Sequence, residues 1–310
     1  MADNSVPATD RGATPIIVAV DGSEISYQAV KWAAVEADLR RAPLHIITSY
    51  AVPTGRGSRT GMGAAETAWL RSDGARVLGE ASTVAHATVP GESITVSTEF
   101  TFDPIIPTLM RLSADAAMIV VGNRGRGAVR RALLGSVSTA ISRRAQCPVA
   151  VVHGVSETDA DAARLPVVVG VDGTENSQPA IEMACEEASR RKVGLLAVHA
   201  WGETNGYDLP VVGWTAIHET EAVLLGQGMA GFAERYPEVP MERVVVCDTP
   251  VRALLNHADK AQLLVVGTHG RGGFPGMLIG STSTALLQHA QCPVLVVRHD
   301  TKMPDDPGVR

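Results

Sequence analysis

Aromatic side chains are scarce in this 310-residue chain: Phe, Tyr and Trp together make up 4% of it. Any core must be built from Val, Ile, Leu and Ala instead, the composition of parallel strands buried beneath helices. Cysteine is rarer still. Cys147, Cys185, Cys247 and Cys292 lie far apart, and no two of them form a C-x-x-C pair or a zinc-ligand spacing. That argues against a disulfide framework or a zinc module and for reduced, buried thiols in a cytosolic protein. Basic charge is not in excess: the formal net charge is −6, where a general nucleic-acid binder needs a broad positive face. No window reads as a signal peptide, and none approaches the ~20 apolar residues of a membrane span. The expectation is a soluble, cytoplasmic protein with neither membrane nor nucleic-acid partners. The nine histidines show no metal spacing.

What is present is a repeat. The stretch "PIIVAVDGSEISYQAVKWAAVEADLRR" from Pro15 returns as "PVVVGVDGTENSQPAIEMACEEASRRK" from Pro166, with Asp21 matching Asp172. Further on, "ADAAMIVVGNRGRG" from Ala114 returns as "DKAQLLVVGTHGRG" from Asp259. "LLGSVSTAISRRAQCPVAVV" from Leu133 returns as "LIGSTSTALLQHAQCPVLVV" from Leu278. The length suits about two domains, and each copy, at roughly 140 residues, is of ordinary domain size. The expected boundaries are 15–153 and 166–299, joined by a polar, acidic linker at 154–165, with flexible termini at 1–14 and 300–310.

Within each copy two apolar patterns alternate. Ile16–Val20 is a continuous β-branched run, as in a buried strand. Ser26–Arg41 places Ala29, Val30, Ala33, Ala34 and Ala37 on one helical face. Strands are then expected at His45–Tyr50, Ile94–Phe100, Met118–Val121 and Pro148–His153, with helices at Ala64–His86, Ile105–Ser113 and Ser136–Ala145. The second copy repeats the order, from Val167–Val171 to Val294–Arg298. Strict alternation of strand and helix predicts an α/β fold, a parallel sheet with helices on both faces. In such sheets ligands bind beyond the carboxyl ends of the strands. Asp21 and Gly122 both follow strand ends, and they meet there if the first and fourth strands are neighbours.

The glycine loops carry the chemistry. Gly122-Asn123-Arg124-Gly125 is followed after nine residues by Gly135-Ser136; Gly267-Thr268-His269-Gly270 is followed after nine by Gly280-Ser281. Glycines allow positive φ and close approach, successive N–H groups form an anion nest, and a helix beginning at the serine adds its positive dipole end. The alternative is a strand-to-helix turn with a serine cap. Asp21 and Asp172 can bond a ribose or base, or help hold hydrated Mg²⁺ on phosphates; the alternative is an Asx turn. Other nucleotide signatures are missing. There is no G-x-x-x-x-G-K-[ST], and the residues after Gly125-Arg126-Gly127 and Gly270-Arg271-Gly272 break the dinucleotide fingerprint. No general base stands at a fixed offset from the loops, so turnover finds no constellation and catalytic residues are not assigned. Of the four arginines between Val120 and Ala140, Arg130 and Arg131 read as a solvated patch. Arg126 has a counterpart in Arg271, which favours a phosphate role. Tyr50 and Trp201 match in position and read as rim packing.

Together, "VDGSE" and "VDGTE" after the first strand, the doubled G-x2-G-x9-G-[ST] motif, and "QCPVAVV" and "QCPVLVV" at the last strand resemble the universal stress protein family. The resemblance is to its tandem form, common in mycobacteria and related actinobacteria, and covers residues 15–299. It implies an adenine-nucleotide α-hydrolase-like fold: two open five-stranded parallel sheets, each in order 3-2-1-4-5, arranged as a pseudo-dimer through their last strands. It also implies ATP, with Mg²⁺ possible near Asp21 and Asp172, in each domain. By that resemblance Asp21 and Asp172 contact the nucleotide, Ala19 and Gly170 line the adenosine pocket, and Ser49 and Ala200 lie against adenine. Gly122, Asn123, Arg124, Gly125, Arg126, Gly127 and Ala128 wrap ribose and phosphates, as do Gly267, Thr268, His269, Gly270, Arg271, Gly272 and Gly273. Gly135, Ser136 and Val137, with Gly280, Ser281, Thr282 and Ser283, complete the phosphate ends. The implied role is an ATP-binding stress-response regulator with protein partners, acting as a pseudo-dimeric monomer or a homodimer. A slow ATPase or phosphotransferase, and a scaffold with vestigial loops, are the rival readings.

Overall fold

A computed structural model describes residues 14–51, 63–91, 93–125, 134–154, 162–202, 214–270 and 279–299. The first half comprises β1 (Ile16–Ala19), α1 (Glu24–Arg40), β2 (Leu44–Ser49), α2 (Ala64–Thr88), β3 (Val96–Thr101), α3 (Ile105–Leu112), β4 (Met118–Gly122), α4 (Ser136–Arg144) and β5 (Val149–Val152). The second comprises β6 (Val167–Gly170), α5 (Gln178–Arg191), β7 (Leu195–Trp201), α6 (Trp214–Arg235), β8 (Met241–Cys247), α7 (Pro250–Ala258), β9 (Leu263–Gly267), α8 (Ser281–His289) and β10 (Val294–Val297). Every expected element is present, with ends displaced by no more than two residues.

One ten-stranded sheet runs through both halves in the order β3-β2-β1-β4-β5-β10-β9-β6-β7-β8. Each half therefore has the order 3-2-1-4-5, and every pairing within a half is parallel. The seam is antiparallel: Val149, Ala150 and Val151 of β5 face Val296, Leu295 and Val294 of β10. That reversal is what a two-fold relation between copies requires, since a two-fold axis at the seam sets the two last strands side by side and running in opposite directions. Strand residues alternate between two apolar layers. One layer holds Ile16, Val18, Leu44 and Ile46 with the alanines of α1 and α5; the other holds Ile17, Ile47, Ile119 and Val151 with Leu109, Ile141, Leu254 and Leu286. Fully buried Ala29, Ala33, Ala34 and Ala37 let α1 lie close on the strands.

Two buried charges interrupt that alanine face. Glu36 and its copy Glu187 have fully buried side chains, and α1 packs against α5 across the seam. Arg40 bonds both Glu36 and Glu187, and Arg191 bonds both as well, closing an alternating ring of four charges. The Arg191–Glu36 contact is 2.6 Å, and Arg191 also lies over the Trp32 ring, 5.7 Å from its centroid. Burial pushes the Glu36 carboxyl up, but the guanidiniums of Arg191 and Arg40 outweigh it and hold the group well below the usual carboxylate range.

All four cysteines are free thiols. Burial pushes Cys147, Cys185 and Cys292 each up to about 12, so they stay protonated and inert. Among the described residues no helix is long and apolar enough to cross a membrane.

Candidate functional site

In the second half a cavity of about 380 Å³ opens at the carboxyl end of the sheet. Its walls come from the ends of three strands and from two helices. Gly170, at the end of β6, Ala200 near the end of β7 and Gly267 at the end of β9 bring backbone to the cavity; Pro250 and Leu254 of α7 supply an apolar side. The loop residues His269 and Gly270 and the start of α8, Gly280 to Ser283, close the polar end. The size and the mix of apolar wall with a few polar groups are those of a small-molecule site. Ten residues expected from sequence, Gly170, Asp172, Ala200, Gly267, His269, Gly270, Gly280, Ser281, Thr282 and Ser283, line one cavity. Thr268 is buried behind them, tied to β10 by its N–H to the Val297 carbonyl at 3.0 Å. Arg271, Gly272 and Gly273 lie outside the described residues, as do Arg126, Gly127, Ala128, Arg130 and Arg131.

Sequence reasoning missed Val171, Ser177, Val198, Pro250, Leu254 and Val266. Ser177 had a signal, its counterpart Ser26 in the first copy. The apolar ones had none beyond their place in buried runs.

Asp172 sits in a tight turn. Its Oδ1 accepts from the Thr174 N–H and hydroxyl, both at 2.8 Å, and from the Ser177 hydroxyl. Gly173 follows with φ of 77°. Asp21 repeats this with Ser23, whose N–H and hydroxyl donate to Oδ1 at 3.0 and 2.6 Å, before Gly22 at φ 78°. The Asx turn is therefore real; it is built on Oδ1, and in the second half the Thr174 hydroxyl also lies 2.9 Å from Oδ2. Oδ2 is the atom that approaches the second glycine of the loop, Gly125 or Gly270. One carboxylate shapes the turn and presents an oxygen to the loop.

The helix starts do not match the serine-cap alternative. Gly135 and Gly280 are themselves the N-caps of α4 and α8, with extended backbone and no side-chain cap. Ser136 and Ser281 are the first helical residues, so the first-turn N–H groups, Val137 and Thr282 among them, point out of the helix end without intrahelical partners. Ser283 turns inward instead: its hydroxyl donates to the Gly267 carbonyl at 2.7 Å and ties α8 to β9. Ser138 does the same in the first half, to the Asn123 carbonyl at 3.3 Å.

In the first half Ala19, Ser49 and Gly122 end β1, β2 and β4 side by side, with Gly135 at the start of α4. The Ser49 hydroxyl donates to the Asp103 carbonyl at 2.6 Å, so it braces the strand end. Tyr50 bonds Asp73 and stacks on Phe100 at 5.9 Å, which makes it a rim residue, as expected. Asn123 Oδ1 and Arg124 Nε are buried with no hydrogen-bond partner among the described residues. Orphaned buried polar atoms in a loop beside a helix N-terminus fit a ligand carrying both donors and acceptors.

At Gly122 and Gly125 glycine is required for space, not for handedness. None of Gly122, Gly125, Gly135, Gly267, Gly270 and Gly280 has positive φ, which corrects that part of the sequence argument. A Cβ on Gly122 would lie 2.6 Å from Ile25 Cγ2, whereas on Gly267 it would meet nothing closer than 3.4 Å. Gly122→Ala should therefore cost about 1–3 kcal/mol of stability by overpacking α1 against β4. Gly267→Ala should stay within about 1 kcal/mol of the parent. Urea denaturation of the two variants checks this, and equal losses would contradict it.

The family model described as the universal stress protein family matches residues 13–153 and again 164–298. The chain belongs to the universal stress protein family. Universal stress protein Rv2005c of Mycobacterium tuberculosis is 42% identical over 286 residues, 91% of this chain and 96% of that protein. Universal stress protein Rv1996 of the same organism is 39% identical over 313 residues, covering 95% and 96%. The crystal structure of a universal stress protein from Archaeoglobus fulgidus superposes with a TM-score of 0.65 at 17% identity, covering 93% of this chain and 99% of that one. At that identity the likeness is one of fold, and it spans the tandem universal stress protein arrangement as a whole.

Proposed function

We propose that each half binds one ATP at the carboxyl end of its sheet, and that occupancy biases the shape of the chain or its association with protein partners in a cytoplasmic stress response. The observation that carries this reading is the cavity walled by Gly170, Gly267, His269, Gly270 and the start of α8. Its apolar side, around Leu254 and Ala200, suits a base. Its polar end, with the exposed N–H groups of α8, suits phosphates. Asp21 and Asp172 are single carboxylates, so Mg²⁺ arriving with ATP would keep water and phosphate oxygens as its other ligands. A ligand of this kind can shift an equilibrium only by binding one state better than the other.

Isothermal titration calorimetry tests the reading. ATP should bind at up to two sites per chain, and at a free concentration a hundred times Kd one site should add about 2.7 kcal/mol to stability. Absence of binding at millimolar ATP, with no change in thermal unfolding, would leave only the scaffold reading. Steady ADP release that falls in Asp21→Asn and Asp172→Asn would favour the slow ATPase.

A further inference from the structure

We propose that His199 is a titratable brace for the second-half site, giving that site a pH response that the first half lacks; the proposal rests on the nucleotide reading above. His199 lies on β7, one residue before the cavity wall at Ala200, and is 2% exposed. Its Nδ1 is 2.7 Å from the Val171 carbonyl and its Nε2 is 2.7 Å from Glu221 Oε2 on α6. A peptide carbonyl and a carboxylate only accept. Both contacts are satisfied together only when the His199–Glu221 pair holds one proton more than neutral imidazole facing carboxylate. Without it, a nitrogen lone pair confronts a carboxylate oxygen.

The carbonyl that His199 holds belongs to the peptide entering Asp172. The other side of that peptide is held too, because the Asp172 N–H donates to the Ser177 hydroxyl at 3.1 Å. The ring thus fixes the peptide that aims the Asp172 carboxylate at Gly270. The first half does the same job with neutral chemistry. Thr48 occupies the matching position, and its hydroxyl donates to the Val20 carbonyl at 2.8 Å. Among the described residues, the groups around the ring come from four elements. From α6 the ring meets Glu221, and from β6 the Val171 carbonyl with Asp172 next in the chain. From β8 its cross-strand partner is Val245, with Arg243 and Cys247 two residues to either side. α5 adds to this layer Cys185, which burial keeps protonated, and Glu187, bound in the four-charge ring.

Loss of the shared proton therefore loosens the turn of Asp172 and leaves that of Asp21 untouched. The test is ATP titration by calorimetry on the full chain across buffers from about pH 6 to about pH 9. In the parent, one of two sites should weaken on the order of tenfold as pH rises, beyond any change shared by both sites from titration of ATP itself. His199→Thr, which copies the first half, should retain binding and make the two sites respond alike. Glu221→Gln should also flatten the response, because a carboxamide can donate to a neutral ring or accept from it. The ring nitrogen resonances of His199 should move with pH in the parent and lose that transition's link to binding in Glu221→Gln. ATP bound at two sites with a pH response unchanged by His199→Thr and Glu221→Gln would overturn the brace alone. No ATP bound at any pH would overturn the nucleotide reading beneath it.

Discussion

Glu187→Ala should destabilise the chain by roughly 3–5 kcal/mol, the cost of leaving buried charge without its partner. Glu187 shares Arg40 and Arg191 with Glu36, so its removal leaves two guanidiniums facing one carboxylate in a region closed to water. The loss should be read by urea denaturation followed by circular dichroism. Because the ring joins α1 to α5 across the seam, a single transition in the parent should become broader or split in the variant. Removing all four charges is a different experiment. Replacing Glu36, Arg40, Glu187 and Arg191 together with Leu or Met of similar volume should be neutral or stabilising by about 1–4 kcal/mol, since desolvation of four ions is then avoided. A loss under about 1 kcal/mol in Glu187→Ala would mean that water reaches the ring and that it behaves as a surface pair.

Under the proposed function, Gly125→Ala should weaken nucleotide binding in one half while Gly270→Ala leaves the other half working. A Cβ on Gly125 would sit 2.4 Å from Asp21 Oδ2, whereas the same atom on Gly270 would sit 3.4 Å from Asp172 Oδ2, an ordinary contact. The Asp21 carboxylate cannot simply turn away, because Oδ1 is held by the Ser23 N–H and hydroxyl. Accommodating the methyl group breaks the turn or drives Oδ2 from the loop. We expect affinity at that site to fall at least about tenfold, some 1.4 kcal/mol, and the calorimetric stoichiometry to drop by one. For Gly270→Ala the change should be under about threefold, roughly 0.6 kcal/mol, with stoichiometry unchanged. Equal losses in the two variants would show that ligand, not Asp21, sets the need for glycine at Gly125.

These expectations also show what could be read from sequence. Strand and helix positions were legible because β-branched runs such as Ile16–Val20 and the alanine stripe of α1 have no other comfortable burial. That Asp172, Gly267 and Gly280 lie at the carboxyl end of the sheet was legible from alternation, since parallel strands put all their carboxyl ends together, but that the first and fourth strands are neighbours came only from the family resemblance. Three features were not. The alanine stripe hid Glu36, whose burial depends on a helix far along the chain; only the repeated Glu-x-x-x-Arg spacing hinted at it. The glycine N-caps at Gly135 and Gly280 replaced the serine caps because the serines fall one residue inside the helix. Contacts such as Gly122 against Ile25 depend on tenths of an ångström that no spacing records.

The antiparallel seam between β5 and β10 has an evolutionary consequence. Two identical subunits meeting this way would share one gene, and any change would strike both pockets at once. A tandem chain keeps the same architecture but lets a substitution land on one side only. Thr48 and His199 occupy equivalent places, as do Asn123 and Thr268, and Arg124 and His269. The seam therefore joins two halves that have been free to drift apart in sequence while bound to one another permanently.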